Sequence, residues 1–355
     1  MPDPVMPEPA VTLRDVARRA GVHPATASRA LNPETRLLVS DATARRITEA
    51  ARALGYRPND AARSLRTRRS HTIGVLIPDL NNPLFPPMVR GLEDRLAADG
   101  YVALIGNTDG RADRERQVFE QMRARHVDGF AVATAQRHSP LLAQAAAEGL
   151  NVVLMNRVAD DTSFPSVSAD NDLGARLAVD YLLAAGHRRI AHLAGPQFLS
   201  TGQIRYQGFQ AAMAAAGVAV PPGLVVFARA FSIEEGHRLG RELLAARPRC
   251  TAVAAANDML AVGCYEAIEE AGLSCPADVS VVGFNDMPFI DRLRPPLTTV
   301  AFPHYQLGTE AAALLLARLS GSRARPGQPA PAVRLAPELV VRGSVAGPPR
   351  ERPPG

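Results

Sequence analysis

The chain of 355 residues contains no lysine and no tryptophan, so all 40 of its basic side chains are arginines. Without lysine it cannot complete the phosphate-binding loop GxxxxGK[ST] of nucleotide-hydrolysing proteins. It has only three cysteines, at positions 250, 264 and 275, and none of them forms a CxxC pair. This odd, unpaired set is typical of a protein from a reducing compartment and does not indicate a metal site.

Membrane and catalytic motifs are also missing. No apolar run approaches the ~18 residues that a membrane span requires, and the proline-rich residues 1–10, which lack a basic side chain, do not form a secretory signal. Ile77–Pro83 occupies the position where a dinucleotide-binding protein has GxGxxG, and the chain has neither a GxSxG elbow nor an HExxH pair. We therefore expect a cytoplasmic protein that is not an enzyme and uses no cofactor or metal ion.

Positive charge is concentrated at the start of the chain. Residues 1–70 contain 13 Arg against 7 Asp and Glu, a net charge of +6, whereas residues 71–355 contain 27 Arg against 28 acidic residues. An excess of arginine on one small segment is the electrostatic signature of phosphate binding. The first fifth of the chain is therefore the candidate nucleic-acid-binding part.

Residues 12–31 have the pattern of two short helices separated by a glycine. Thr12 is placed to cap the first helix, and Asp15 three residues later completes a capping box. Gly21 provides the left-handed backbone that ends this helix. The pattern predicts a helix-turn-helix, which lays its second helix in the major groove of DNA.

The residues that mark the start of the second helix give a weaker signal than those that mark the two ends of the third helix. Pro24 suits the first position of the second helix, although His23 before it is a poor cap on sequence grounds. A third helix is predicted to open at Ser40 and to stop at Gly55. Three helices with a small shared core would form a compact headpiece.

From residue 72 onward, short apolar runs alternate with longer helical stretches. Eight runs predict strands, namely Ile73–Ile77, Val102–Ile105, Phe130–Ala133, Val152–Met155, Ile190–Leu193, Leu224–Phe227, Ala252–Ala256 and Val279–Phe284. This alternation predicts an α/β doubly wound fold with parallel strands covered on both faces. Because so many units exceed one sheet, we predict two similar subdomains with a ligand between them at the carboxyl ends of the strands. Residues 337–342 are predicted to form a last edge strand.

Several short motifs follow one another in a fixed order. In the first 70 residues they are Val11–Asn32, Leu54–Asn59 and Ala62–Leu65. In the body they are Ile73–Val75 with Asn82-Pro83, Asp170-Asn171, Gly186–Ile190, Ala256–Asp258, Val282–Asp286, Pro296–Thr299 and Glu338–Ser344. Together they resemble the lactose-repressor (LacI/GalR) family of bacterial regulators over about residues 11–345. The resemblance implies a dimeric repressor with a body similar to periplasmic sugar-binding proteins, in which a small effector bound between the subdomains changes the affinity for operator DNA.

The expected organisation has five segments. They are a disordered tail (1–10), an all-α helix-turn-helix headpiece (11–59), a hinge helix or linker (60–70), an α/β body of two doubly wound subdomains (71–345) and a second disordered tail (346–355). Within the body, the chain is expected to cross between the subdomains near residues 165–170, 285–300 and 320–332. No C-terminal leucine heptad of the kind that makes tetramers is present, so a homodimer is expected.

The resemblance implies DNA contacts for ten residues, namely Thr12, Thr26, Ser28, Arg29, Asn32, Ser40, Tyr56, Asn59, Ala62 and Leu65. The resemblance implies that Thr26, Ser28 and Asn32 position phosphates, as hydroxyl and amide groups near a helix start can. It implies that Arg29 reads either a base or a phosphate, and arginine can donate two hydrogen bonds to a guanine edge. Leu65 is expected to insert into the minor groove at the centre of a palindromic operator and to kink the duplex. Pro24 and Ala25 cannot read bases by side-chain hydrogen bonds, so the operator sequence of relatives does not transfer.

The resemblance also places six residues around the cleft, each at or just after a strand end: Phe85, Asn156, Arg205, Phe231, Asn257 and Asn285. Amides and a guanidinium bind hydroxyl groups, and aromatic rings cover the apolar face of a sugar. Several relatives have Asp where this chain has Asn156 or Asn285, so a neutral or anionic effector is favoured over a cationic one. Three acidic residues, Asp170, Asp258 and Asp286, are expected to cap helices or to set the hinge.

Two other functions are alternatives to a sugar-responsive repressor. A transport-type binding protein would share the body but would lack residues 11–69 and would need an export signal. Within the regulators, the alternative is an activator or a co-repressor-dependent protein that responds to a non-sugar ligand such as a purine or a sugar acid.

Overall fold

The computed structural model describes residues 11–32, 35–56, 69–162, 164–247, 249–321 and 329–349. The chain separates into two compact units, Met1–Ser70 and His71–Gly355. Three predicted DNA contacts, Asn59, Ala62 and Leu65, lie outside the described residues, as do the tail 1–10 and most of the predicted linker 60–70. Within the described ranges, no helix has the length and apolar character needed to cross a membrane.

The first unit is a three-helix headpiece, as the sequence predicts. Its helices are α1 (Leu13–Arg19), α2 (Pro24–Leu31) and α3 (Asp41–Ala53), with a short 3-10 turn at Arg36–Leu38 between the last two. A small core joins them and consists of Val16, Ala17, Ala20, Ala27, Ala30, Ala44, Ile47, Ala50 and Ala51. Because most of these side chains are alanines, the helices pack closely around one large residue, Ile47.

Capping hydrogen bonds and one left-handed glycine fix the ends of the first two helices of the headpiece. The Asp15 carboxylate accepts hydrogen bonds from the backbone N–H of Thr12 at 3.0 Å and from its hydroxyl at 2.7 Å. Gly21 has the predicted left-handed backbone, with φ of +62°. The expectation that His23 would cap poorly was wrong, because its Nδ1 accepts the backbone N–H of Ala25 at 3.2 Å. An imidazole nitrogen thus accepts the hydrogen bond that a serine or aspartate oxygen accepts at many helix starts.

The second unit contains twelve strands in two sheets. In chain order the strands are β1 (Thr72–Ile77), β2 (Val102–Asn107), β3 (Gly129–Val132), β4 (Val152–Met155), β5 (Ser166–Ala169), β6 (Ile190–Ala194), β7 (Val225–Phe227), β8 (Ala252–Ala255), β9 (Ser280–Asn285), β10 (Thr298–Ala301), β11 (Ala332–Leu335) and β12 (Glu338–Val340). The first sheet has the order β11-β5-β4-β3-β1-β2 and the second β12-β10-β9-β8-β6-β7. All pairs are parallel except β10 with β12.

Eight helices of the described chain cover these sheets. They are α4 (Phe85–Ala98), α5 (Ala112–Ala124), α6 (Pro140–Ala147), α7 (Asn171–Ala184), α8 (Ser200–Ala215), α9 (Ile233–Ala245), α10 (Asp258–Glu270) and α11 (His304–Leu319). Helices α4, α5 and α11 pack on the first sheet, and α7, α8, α9 and α10 on the second. The predicted fold class, a helix-turn-helix headpiece followed by two doubly wound subdomains, is confirmed.

All eight strands predicted from apolar runs are present, and the predicted edge strand contains β12. Three strands were missed, namely β5, β10 and β11. Their sequences are SVSA, TTVA and AVRL, in which polar residues interrupt the apolar run. In β5 and β10 these polar side chains are mostly buried nevertheless, so hydrophobicity alone does not mark them as strands.

The chain passes between the two sheets three times. The first passage lies at Asp170, between β5 and α7, within the predicted range 165–170. The second lies at residues 302–303, after β10, and the third at 336–337, between β11 and β12. The predicted ranges 285–300 and 320–332 were therefore wrong, because β10 still pairs with β9 in the second sheet and β11 still pairs with β5 in the first.

The predicted C-terminal tail also begins too early. The backbone N–H of Ala346 donates to Ser280 Oγ at 3.1 Å, and its carbonyl accepts from His187 Nε2 at 2.8 Å. Both partners lie next to the start of strands in the second sheet. Residue 346 therefore belongs to the body, and residues 350–355 lie outside the described chain.

Glycines allow α4 and α11 to pack closely against each other. A Cβ atom at Gly308 of α11 would collide with the carbonyl oxygen of Met88 in α4, and one at Gly91 would collide with the carbonyl oxygen of Tyr305. Because these obstacles are backbone atoms, no side-chain rotation can relieve the clash. Glycine at both positions thus sets the distance between the helices.

We expect Gly308→Ala to lower the free energy of unfolding of the body by about 1–3 kcal/mol, the usual effect of overpacking. Gly223→Ala is the matched control, because its added Cβ would meet only the Cβ of Ala246 at 3.6 Å. Urea unfolding followed by circular dichroism measures both. Equal stability of the two variants would contradict the proposed packing constraint.

Candidate functional site

Six residues that are far apart in the sequence meet at the carboxyl ends of the strands. Phe85, Asn156, Arg205, Phe231, Asn257 and Asn285, the predicted effector contacts, all line one inner cavity. They come from both subdomains, since Phe85 opens α4 and Asn156 follows β4, whereas Asn285 ends β9 and Arg205 lies on α8. The structure therefore brings the whole predicted set together.

The Arg205 guanidinium lies at the centre of this set. Only 3% of the residue is exposed. Its Nε donates to Asn171 Oδ1 at 2.8 Å, Nη1 to the carbonyl of Ala256 at 2.6 Å, and Nη2 to Asn285 Oδ1 at 3.3 Å. Its Cζ lies 3.6 Å from the centre of the Phe284 ring, a cation–π contact. Hydrogen bonds and the ring thus hold the guanidinium plane in one orientation.

Burial lowers the pKa of Arg205 to about 9, although the nearby carboxylate of Asp258 opposes this shift. The side chain is therefore still charged at neutral pH. A charged group this deeply buried must be paired or hydrogen-bonded, because desolvation otherwise costs several kcal/mol. Asn171 and Phe284 supply part of that compensation. Sequence reasoning did not single them out as site residues, although both lie in the quoted motifs.

Two asparagines reach the cavity from strained turns. Asn156 has φ of +63° and Asn285 φ of +120°, each directly after or at the end of a strand. Non-glycine residues rarely adopt such backbones, and asparagine tolerates them best. Strain of this kind is often found at ligand sites, where it directs a side chain inward. The two residues are correspondingly buried.

The acidic residues near the cavity have structural partners. Asp170 caps α7 by accepting the backbone N–H of Leu173 at 3.1 Å. Asp258 accepts the Thr299 hydroxyl at 2.6 Å and the backbone N–H of Met287 at 2.9 Å. It thereby ties α10 to β10 and to the loop after β9. Asp286 forms an ion pair with Arg342 at 2.7 Å. Of the three, only Asp170 acts as a helix cap.

Asn257 has two functions in this arrangement. Its Oδ1 accepts the backbone N–H of Leu260 at 3.0 Å and caps α10. Because this bond uses the oxygen, the amide NH₂ group is the part that can donate to a ligand.

Four further residues, Asn82, Leu84, Arg157 and Thr201, also line the inner cavity and were not predicted from the sequence as site residues. Arg157 directly follows Asn156, so its position in the sequence was a usable signal.

The headpiece presents the predicted DNA contacts on its second helix. Ala27 and Ala30 of α2 are buried, whereas Arg29 is exposed and Thr26, Ser28 and Asn32 are half-buried. The polar residues therefore lie away from the small core, as a groove-reading helix requires. The carbonyl of Arg29 accepts the Thr35 hydroxyl at 3.1 Å, which ties the end of the helix to the next turn.

The remaining predicted contacts in the described headpiece flank α2. Thr12 and Ser40 are exposed, and the Ser40 hydroxyl donates to Thr43 Oγ1 at 3.0 Å. Tyr56 is half-buried, and burial raises the pKa of its phenol.

Among the described residues of the whole chain, no cluster of three or more His, Cys, Asp and Glu could hold a metal ion.

Comparison with known proteins agrees with both units. Residues 12–59 match the model of bacterial regulatory proteins of the lacI family, and residues 179–345 match a periplasmic binding protein-like domain. The chain is 34% identical to the HTH-type transcriptional repressor CytR of Escherichia coli K12 over 339 residues, 95% of this chain and 97% of that protein.

Solved structures show the same likeness. The lac repressor dimer bound to operator and the anti-inducer ONPF matches with a TM-score of 0.82 and 26% identity, covering 95% of this chain and 100% of that one. The complex of the transcriptional regulator CelR with cellobiose matches with a TM-score of 0.72 and 30% identity, covering 94% and 99%.

The buried carboxyl of Asp258 predicts a pH dependence of stability. Burial raises its pKa to about 7, against the opposing hydrogen bonds from Thr299 and Met287. In the unfolded chain the pKa is about 3.9, so between these values the folded protein holds a proton that the unfolded chain releases. The resulting stabilisation is fully present below about pH 4, is lost progressively as the pH rises to the folded pKa of about 7, and changes no further above that value.

We expect Asp258→Asn to gain stability relative to the wild type as the pH is raised from 5 to 8, because the amide mimics the protonated acid and does not titrate. Urea unfolding at both pH values measures the difference, and Asp180→Asn, at an exposed position of α7, is the control. A stability difference between wild type and Asp258→Asn that does not change with pH would refute the assignment.

Proposed function

The chain belongs to the LacI family of bacterial regulatory proteins, and we propose that it is a repressor whose affinity for operator DNA is controlled by a small sugar-like effector. It acts as a homodimer on a palindromic site and carries out no catalytic step. Because its operator is genomic DNA, its place of action is the cytoplasm. CytR is named a repressor, and the lac repressor structure is a dimer on operator, so these similar proteins support the proposal.

The convergence of six distant residues on one cavity is the observation that carries the effector assignment. These six residues supply the amide groups of three asparagines, one guanidinium and two phenylalanine rings to the cavity. Amides and guanidinium groups donate to hydroxyl oxygens, and aromatic rings cover the apolar faces of a sugar ring. CelR, a similar protein, was solved with cellobiose. We assign ligand contact to all six residues, with Arg205 as the central donor.

The DNA-binding assignment divides the headpiece contacts by chemistry. Thr12, Thr26, Ser28, Asn32, Ser40, Tyr56 and Asn59 are proposed to position phosphates. The exposed Arg29 is the base-reading candidate, because its forked donors match the O6 and N7 acceptors of guanine. Ala62 and Leu65 are proposed to contact the minor groove at the operator centre, with Leu65 as the wedge.

Control of DNA binding requires a coupling free energy between the cavity and the headpiece. The three passages between the subdomains at residues 170, 302–303 and 336–337 form the natural hinge for their relative movement. Ligand contacts from both subdomains favour one hinge position over the other. A bias of ~1–3 kcal/mol changes operator affinity by roughly 5- to 150-fold.

We expect Arg29→Ala to weaken binding to a palindrome obtained by selection from genomic DNA far more than binding to random duplex. Loss of a two-donor contact with guanine costs about 1–3 kcal/mol of discrimination, whereas loss of one phosphate contact weakens all sequences alike. Arg46→Ala, at an exposed position on α3, serves as the matched control for lost charge. Fluorescence anisotropy with both duplexes measures the ratio of affinities.

Equal losses on the palindrome and the random duplex would remove Arg29 from base reading. Failure of the wild-type protein to prefer any selected sequence over scrambled duplex would overturn the repressor function itself.

A further inference from the structure

Three hydrogen bonds join the two subdomains of the body directly across the cleft. The backbone N–H of Arg137 donates to the carbonyl of Phe198 at 2.9 Å, and its Nη1 donates to the carbonyl of Gln197 at 3.4 Å. The backbone N–H of Val158 donates to Ser200 Oγ at 2.9 Å. The two donor residues follow β3 and β4 of the first subdomain, whereas the acceptors lie after β6 and at the start of α8 in the second. We call these five residues the cleft strap.

Asp160 of the first subdomain holds the Arg137 side chain in position. Its Oδ2 accepts from Arg137 Nε at 2.8 Å and lies 2.6 Å from Nη2. The backbone N–H of Asp160 also donates to the carbonyl of Arg137 at 2.7 Å. A guanidinium that a carboxylate already holds through two of its nitrogens has a fixed plane, so its third nitrogen points in a set direction. Asp160 therefore orients Nη1 of Arg137 towards the carbonyl of Gln197 in the other subdomain.

The acceptors in the second subdomain are also held in place. Ser200 is buried, with 3% of the residue exposed, so water competes little for its bond with Val158. The side-chain amide of Gln197 donates to the carbonyl of Gly195 at 2.8 Å, and the backbone N–H of Leu199 donates to the carbonyl of Pro196 at 3.1 Å. These bonds lie within the loop after β6. The loop is therefore ordered by its own contacts when it meets the first subdomain.

The cleft strap lies away from the hinge. The three passages between the subdomains adjoin β5, β10, β11 and β12. In the second sheet β6 is three strands from β10, and in the first sheet β3 is two strands from β5. Because neighbouring strands lie ~4.8 Å apart, the loop after β6 is roughly 14 Å from the passage after β10. A rotation about the hinge separates groups in proportion to their distance from it, so the bonds of the strap break early when the cleft opens.

We propose that the cleft strap holds the two subdomains in the closed position through contacts of the protein with itself, and that Arg137 and Asp160 are its positioning pair. The strap adds free energy to the closed position alone, because its bonds cannot form when the subdomains are apart. It thereby sets the closed fraction on which any ligand of the cleft acts. This inference goes beyond the repressor function, since it concerns the hinge of the body and its test requires neither DNA nor effector.

Amide hydrogen exchange of the full-length protein tests the strap, with single amides resolved by fragmentation in the mass spectrometer. Protection of an amide measures how rarely its hydrogen bond opens. In the wild type we expect the amides of Arg137 and Val158 to exchange at least tenfold more slowly than in an unfolded peptide. Arg137→Ala should accelerate the amide of Val158 at least fivefold. The amide of Asp160, whose acceptor lies in its own subdomain, should change less than twofold.

Ser200→Ala tests the strap from the other subdomain. It removes only the acceptor of Val158, and we expect it to accelerate the amide of Arg137 at least threefold while that of Asp160 again stays within twofold.

Arg116→Ala is the matched control, because Arg116 is exposed on α5 and donates to Gln144 within the first subdomain. It should leave the amides of Arg137 and Val158 as in the wild type. Wild-type amides at these two positions that exchange as fast as in an unfolded peptide would overturn the proposal. So would an equal acceleration of Val158 and Asp160 in Arg137→Ala, because that result shows local loosening of one loop and no opening between the subdomains.

Discussion

Burial of one guanidinium, that of Arg205, governs the geometry of the candidate effector site. A charge removed from water must be compensated by hydrogen bonds, so the surrounding elements have to present acceptors at fixed positions. Asn171 at the start of α7, the carbonyl of Ala256 after β8 and Asn285 at the end of β9 do so. Three elements of the second subdomain are thereby aligned around a donor that faces the cleft.

The same constraint explains why the polar residues of the site lie where they do. Parallel strands bring their carboxyl ends to one edge, and the topology places several loops there. Asn285 has a positive φ, a backbone conformation that asparagine tolerates better than most residues. In this conformation its Oδ1 accepts a hydrogen bond from Arg205. Asp258, one residue beyond Ala256–Asn257, then ties α10 to β10 next to the second passage between the subdomains. Site and hinge are therefore built from adjacent residues.

Much of this architecture could be predicted, because the signals are local. Capping at Thr12, the left-handed Gly21 and the alanine-rich core specify the headpiece within a short segment. Apolar runs mark eight of the strands. Strands β5, β10 and β11 were missed because serine, threonine or arginine interrupts them, and two of the three passages were consequently misplaced.

The candidate effector site was predictable only in part, because some of its residues are brought together by tertiary structure and not by a local sequence pattern. Residues that follow strands, such as Asn156 and Asn285, can be placed at one edge once the strands are known. Glu115 and Phe198 line a single cavity of about 400 Å³ only because α5 and the loop after β6 face each other across the cleft. That relation depends on tertiary structure, and no local pattern in the sequence expresses it. The His23 cap likewise depends on a ring orientation that composition does not reveal.

Operator binding by Arg205→Lys, with and without the compound that binds the wild type most tightly, tests the central claim most directly. Lysine keeps the charge but has no planar fork to reach three acceptors at once. The account predicts that the ligand shifts the operator Kd of the wild type by roughly 5- to 150-fold, whereas the variant keeps its ligand-free Kd within about twofold and loses the shift. A variant that still responds to the ligand as the wild type does would contradict the central place of the buried guanidinium.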